Sequence, residues 1–167
     1  MNLKEIKTTS DNNDFKMLVA ELDLHLTEFY GEQQDFFDKY NNVDAIKNVI
    51  IIYDNDIPIG CGGIKEYTNL IMEIKRMYTK PDYRGQGIAS NILSALENWA
   101  TELGYTSTIL ETLKAKESVI SMYKKNGYEI IPNYGQYENI ESSVCMRKVI
   151  NYRKEASAAA WFSTSDV

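Results

Sequence analysis

Apolar and polar residues alternate from Leu3 to Thr8, a period of two that predicts a strand. The period then changes. Phe15, Leu18, Val19, Leu22, Leu26 and Phe29 recur at helical steps after the candidate N-caps Asp11, Asn12 and Asn13, and Gly31 fits the helix end. Residues 32–46 are polar and aromatic, a connecting segment with room for a short helix. Lys47 to Tyr53 carries the β-branched run Val49-Ile50-Ile51-Ile52, and Asp54-Asn55-Asp56 is a turn cluster. Ile57 to Glu66 resumes as a strand, so the pair reads as a hairpin. Leu70 to Thr79 is the next strand, stopped by Pro81.

The strongest helical stripe follows Gly85 and Gly87: Ala89, Ile92, Leu93, Leu96, Ala100 and Leu103, with Gly104 as C-cap. Thr106 to Thr112 reads as a strand and Lys116 to Asn126 as a helix ended by Gly127. Tyr128 to Ile131 and Ser142 to Val149 are the last strands, separated by the polar, tyrosine-containing loop Pro132 to Glu141. This pattern fills residues 1–150 as one domain. The tail 151–167 differs in composition, and Ala156 to Phe162 suits a terminal helix, a partner-binding segment or a non-native remnant equally.

Composition narrows the function classes. A net charge of −6 argues against broad binding to nucleic acid, which depends on cationic excess. No apolar run reaches the ~20 residues of a membrane span, and the first residues lack the apolar stretch of a signal peptide. Two cysteines cannot build a disulfide scaffold, and one histidine rules out a His-rich metal site. The expectation is a cytoplasmic domain without a catalytic metal.

The segment Arg84-Gly85-Gln86-Gly87-Ile88-Ala89 lies between a predicted strand and a predicted helix. A helix start leaves backbone N–H groups without partners at the positive end of the dipole, so such a turn can cradle a phosphate. Read alone, the six residues suit a plain strand-to-helix turn equally well. Neither a G-x-x-x-x-G-K-[ST] nor a G-x-G-x-x-G motif is present.

Three segments together resemble the GNAT superfamily of N-acetyltransferases. Arg84-x-x-Gly87-x-Ala89 matches its R/Q-x-x-G-x-G/A signature, and Glu73 to Tyr83 is similar to the strand and loop before it. Ser121-Met122-Tyr123-Lys124-Lys125-Asn126-Gly127-Tyr128 resembles the family's A-x-x-L-Y-x-x-x-G-F/Y segment. Order and spacing agree from Val49 to Lys148.

The resemblance implies an α/β fold with a mixed, mostly antiparallel sheet flanked by helices, and acetyl-CoA as cosubstrate. It implies that the amides of Arg84, Gly85, Gln86, Gly87, Ile88, Ala89 and Ser90 hold the pyrophosphate. It gives Met77, Tyr78 and Thr79 the pantetheine arm, and the Met77 N–H the developing oxyanion, a contribution of about 3 kcal/mol. Tyr123 matches a tyrosine that protonates the departing thiolate; on the residues alone it reads as an aromatic core residue beside Val119 and Ile120. Glu73 matches a general-base position, the competing readings being a substrate-orienting or solvated carboxylate with water as the relay. Glu111 is a second candidate, better read as an exposed strand-end acid. Lys116 stands seven residues before Tyr123, where the family often has asparagine. It keeps only the reach of a lysine toward a phosphate.

Other features have plainer readings. Gly60, Gly62 and Gly63 flank Cys61 and suit a bulge, with room for substrate as the alternative. Cys61 reads as a small buried residue, and His25 as structural or exposed. Phe29, Tyr30, Phe36 and Phe37 belong to the core, although the family's acceptor pocket forms in this region.

The expected activity is direct transfer of an acetyl group to a primary amine of a small molecule, because no basic surface or peptide-docking insertion is visible. Acetylation of a protein N-terminus or lysine, or acyl-CoA sensing without turnover, are the alternatives. The expected partners are acetyl-CoA and an amine, with neither nucleic acid nor membrane; the sequence leaves room for a homodimer.

Overall fold

A computed structural model describes residues 1–44, 46–155 and 157, and the readings of the alanine-rich tail lie outside them apart from Ser157. Strand β1 is Leu3–Thr8, and helix α1 follows as Asn13–Tyr30. Of the three candidate caps Asn12 is the one used: its side-chain oxygen accepts from Asp14 N–H at 2.9 Å and Phe15 N–H at 3.2 Å. Such a cap is worth about 1 kcal/mol. The apolar stripe buries Phe15, Leu18, Val19 and Leu22 as the spacing predicts, but its last member shifts. Phe29 is exposed and Tyr30 is buried, because the helix ends at Gly31 and Tyr30 stacks on Phe37 of the next helix at 4.3 Å. That helix, α2, is Gln34–Tyr40.

Strands β2 (Asn48–Asp54) and β3 (Ile57–Thr68) form the expected hairpin, with Asn55 in left-handed conformation at the turn. Strand β4 is Ile71–Thr79, helix α3 is Ile88–Glu102, and strand β5 is Ser107–Leu113. Helix α4 is Glu117–Lys125, followed by β6 (Glu129–Ile131) and β7 (Ser143–Val149). The sheet has seven strands in the order β1-β2-β3-β4-β5-β7-β6. β1–β2, β2–β3, β5–β7 and β6–β7 pair antiparallel, and β4 with β5 is parallel. The fold is therefore mixed α/β with a mostly antiparallel sheet. No described helix is long and apolar enough to cross a membrane.

The chain divides into two compact units. The first comprises Met1–Lys65 and Ile74–Leu96. Its core packs Phe15, Leu18, Val19 and Leu22 of α1 on Ile46, Val49, Ile51, Cys61 and Tyr78. The glycines of β3 make room inside this unit. A Cβ on Gly62 would lie 2.5 Å from the Met77 sulfur and 2.9 Å from Ile92, and one on Gly63 would lie 2.6 Å from Ile46. The register shift of the hairpin falls instead between Ile52 and Tyr53, opposite Gly60 and Pro58. Close packing against β4, α3 and Ile46, more than a bulge, accounts for Gly62 and Gly63.

The second unit comprises Glu66–Glu73 and the chain from Glu97 onward. Here β5 lies between the start of β4 and β7, with Glu73 opposite Ile109 and Glu111 opposite Cys145. Ile109, Leu110, Leu113, Val144, Cys145 and Met146 are buried. Thr108 and Tyr128 share a hydrogen bond of 2.7 Å, which satisfies both hydroxyls inside the core. Past β7, Arg147 pairs with Glu155, and Lys154 donates to the Gly104 carbonyl.

Candidate active site

The predicted site residues divide between the two units. In the first unit, the turn after β4 begins with a single 3-10 turn at Pro81–Tyr83. Arg84, Gly85, Gln86 and Gly87 then run exposed into α3. Gly85 and Gly87 have φ of +73° and +82°, a region costly for other residues, and a Cβ at either would meet nothing within 4 Å. These glycines are thus required by the backbone, and the space before them is empty of protein. The first rung of the helix is Asn91 N–H to Gly87 O at 3.0 Å. The amides ahead of it lie at the positive end of the helix dipole.

The strand feeding the turn has an irregular backbone. Arg76 has φ +59° in the middle of β4, a conformation uncommon outside glycine. Its buried guanidinium pairs with Asp23 of α1 and reaches the Val19 carbonyl at 3.5 Å, while its Nε has no partner among the described residues. The next residue is Met77, half-buried, with its sulfur over Gly62. Tyr78 donates to Glu21 at 3.1 Å, and burial, followed by that bond, raises its pKa. Arg84 reaches back: its Nε donates to the Thr79 carbonyl at 3.0 Å, and its guanidinium lies 5.9 Å from the Tyr78 ring centre. The Thr79 hydroxyl oxygen is buried without a partner among the described residues. An orphaned hydroxyl beside a glycine-framed amide turn fits a polar, phosphate-bearing ligand.

The second unit carries the acids and phenols. Glu73 is buried and accepts from Tyr134 Oη at 3.0 Å. Burial raises the Tyr134 pKa far above the usual phenol range, with the charge of Glu73 next in effect. Tyr134 is held edge-on by Tyr67 at 5.1 Å and Tyr137 at 5.7 Å. Glu111 accepts from Ser143 Oγ at 2.6 Å and is half-buried, so the exposed strand-end reading is corrected: β7 covers it. Tyr123 is buried on α4, edge-on to Tyr128 at 5.7 Å; burial and then Glu111 raise its pKa far beyond the usual value. Lys116 caps α4 through its backbone, its carbonyl accepting from Val119 and Ile120 at 3.1 Å each.

Sequence reasoning missed Tyr134, Tyr137, Asp23 and Arg76. The loop Pro132 to Glu141 has no periodicity, so its tyrosines could not be told apart. Arg76 carries no spacing signal that marks a left-handed residue inside a strand. The thiols are poor nucleophiles: burial pushes Cys61 up to about 12 and Cys145 to about 11. Tyr30 and Phe37 join the core as expected, while Phe36 is half-buried against Phe37 and Tyr40. His25 is half-buried, its ring 6.0 Å from Phe29.

Comparison with known proteins bears on the family and the fold. The family described as "Acetyltransferase (GNAT) family" matches residues 16–128. An uncharacterized N-acetyltransferase of Schizosaccharomyces pombe is 26% identical over 155 residues, spanning 88% of this chain and 93% of the relative. A crystal structure from Klebsiella pneumoniae, named for an acyl-CoA N-acyltransferase, superposes with a TM-score of 0.74 at 26% identity, over 89% of this chain and 97% of that one. A GNAT family acetyltransferase from Elizabethkingia anophelis with acetyl-CoA bound shares the fold at 16% identity, with a TM-score of 0.67 over 89% of this chain and 98% of that one. The chain belongs to the GNAT family and is an acetyl-CoA-dependent N-acetyltransferase.

Proposed function

We propose that the chain transfers the acetyl group of acetyl-CoA directly to the primary amine of a small molecule. The single observation that carries this reading is the turn at Arg84 to Gly87. Its two left-handed glycines open onto space at the start of α3, within the segment that matches the family signature. Arg84 through Ser90 would hold the pyrophosphate by their amides, and Met77, Tyr78 and Thr79 the pantetheine arm. Lys116 would add a cation for a phosphate. A protein of net charge −6 needs local amide donors of this kind to bind a polyanion.

Acetyl-CoA supplies an acetyl thioester, which breaks to an amide and a thiol as the amine nitrogen bonds to the acetyl carbon. Glu73 accepts the proton that the amine must lose, and the Met77 N–H stabilises the negative charge on the oxygen. Tyr123 donates a proton to the departing sulfur; burial keeps its phenol protonated throughout the working pH range. The net charge of −6 and the buried Glu73 support a cationic acceptor.

Isothermal titration with acetyl-CoA, followed by a thiol-release assay over a panel of amines and peptides, tests the reading. Binding with turnover on small amines is expected. Turnover on peptide N-termini or lysines alone would move the assignment to a protein acetyltransferase. Binding with no turnover would make the chain a sensor. A competent acetyl-Cys61 or acetyl-Cys145 intermediate would contradict direct transfer.

A further inference from the structure

The loop between β6 and β7 is built around Tyr134. Asn133 Nδ2 donates to the carbonyls of Ile140 and Ser143 at 3.1 Å each, which closes the loop across its base. Inside it, Gly135–Tyr137 form a 3-10 turn, with Tyr137 N–H on the Tyr134 carbonyl at 2.9 Å and the Tyr137 ring buried. Tyr134 thus follows the clamp and precedes an anchored aromatic. Its ring makes edge contacts with Tyr67 at the end of β3 and with Tyr137. Aromatic pairs of this geometry fix ring orientation as well as adding stability. The result is a phenol with little rotational freedom whose hydroxyl meets Glu73 at 3.0 Å.

The backbone of Glu73 lies in the β4–β5 ladder, opposite Ile109. A glutamate side chain keeps three torsions beyond that, and a proton acceptor has to stand within hydrogen-bond reach of the proton it takes. A carboxylate has about four acceptor positions, so one phenol donor orients it without saturating it.

We infer that Tyr134 is a positioning residue for the reaction: its hydroxyl holds the Glu73 carboxylate in the orientation from which it receives the acceptor's proton. The inference rests on the reading of Glu73 as the proton acceptor. Losing one hydrogen bond to a charged group corresponds to about a tenfold or larger loss of rate when its benefit falls on the reacting geometry.

The test is a double-mutant cycle on the full chain, measuring kcat, the KM for acetyl-CoA and the thermal midpoint of Tyr134→Phe, Glu73→Gln and the double variant. Tyr134→Phe should lower kcat about tenfold with the acetyl-CoA KM unchanged, and add less than about twofold in the Glu73→Gln background. Incorporation of 3,5-difluorotyrosine at position 134 keeps the ring and its hydroxyl while making the phenol a stronger acid. It should change kcat in the parent and leave it unchanged in Glu73→Gln, which keeps the test decisive if the phenylalanine variant folds poorly. Independent, multiplying losses would show a merely structural tyrosine and overturn the inference while Glu73 keeps its role. So would full turnover in Tyr134→Phe alongside a slow Glu73→Gln. Full turnover in Glu73→Gln would overturn both the proton-acceptor reading and the inference built on it.

Discussion

Arg76 of β4 and Asp23 of α1 form an ion pair in which one partner is buried and the other half exposed, their side chains 2% and 53% accessible. The arginine is held in left-handed conformation one residue before Met77, so the pair fixes the strand where its backbone departs from regular geometry. Removing the aspartate would leave a buried guanidinium whose Nε already has no described partner. Breaking a fully buried pair costs about 3–5 kcal/mol, and solvent at Asp23 lowers that to about 2 kcal/mol. Asp23→Ala should therefore unfold at a lower denaturant concentration with an unchanged slope. A loss below about 0.5 kcal/mol would show that the pair contributes nothing to holding β4.

Gly87 separates binding from folding. Its φ of +82° makes any side chain there strained, at about 1–2 kcal/mol, but nothing lies within 4 Å of the added Cβ. Gly87→Glu should consequently fold, with a modest drop in thermal midpoint. Its affinity for acetyl-CoA should collapse, because a carboxylate would enter the space where the pyrophosphate is proposed to lie. Normal affinity by isothermal titration would mean that the phosphate lies elsewhere.

Much of this was legible from residue spacing. The two hydrophobic periods located the strands and helices, since backbone geometry alone imposes them. Where the reading slipped, tertiary contact had overridden the local pattern. Leu103 continues the α3 stripe by spacing yet is exposed, because it lies past the helix end at Glu102 while Ile88 at the start is buried. Gly62 and Gly63 looked like a strand irregularity, and only the positions of Met77, Ile92 and Ile46 reveal that they are seats for side chains. The signature turn was readable because its chemistry is local, in glycines and amides contiguous in the chain. The Tyr134–Glu73 contact joins residues 61 positions apart, and no periodicity in a loop announces such a partner.

Alkaline pH should unfold the protein through its buried acids. Burial raises Tyr53 to about 12, Cys61 to about 12 and Cys145 to about 11, and raises Tyr123, Tyr128, Tyr134 and Tyr137 as well. The folded pKa values lie above the unfolded ones, near ~8.5 for cysteine and ~10 for tyrosine, so the folded state holds protons that the unfolded chain releases. Stability is then fully present below the unfolded values and is lost as pH rises toward about 12. Circular dichroism and tyrosinate absorbance, followed together through this range, should show buried phenols ionising only as the fold is lost. Ionisation of all 12 tyrosines near the ordinary value, with the fold intact, would contradict the burial.

Tyr123 gives the sharpest test of mechanism. Its phenol is the proposed source of the proton for the departing sulfur, and Tyr123→Phe removes that proton while keeping the ring against Tyr128. Loss of a general acid costs roughly 100-fold or more in turnover. The dissociation constant for acetyl-CoA should stay within about twofold, since no binding step uses the phenol's proton. Burial holds the parent phenol protonated far above the usual phenol range, so the parent pH–rate profile should show no downward limb from Tyr123 near pH ~10. A tenfold weaker affinity in the variant would make Tyr123 a binding residue instead. Unchanged turnover would remove it from the mechanism and leave the sulfur to be protonated by solvent.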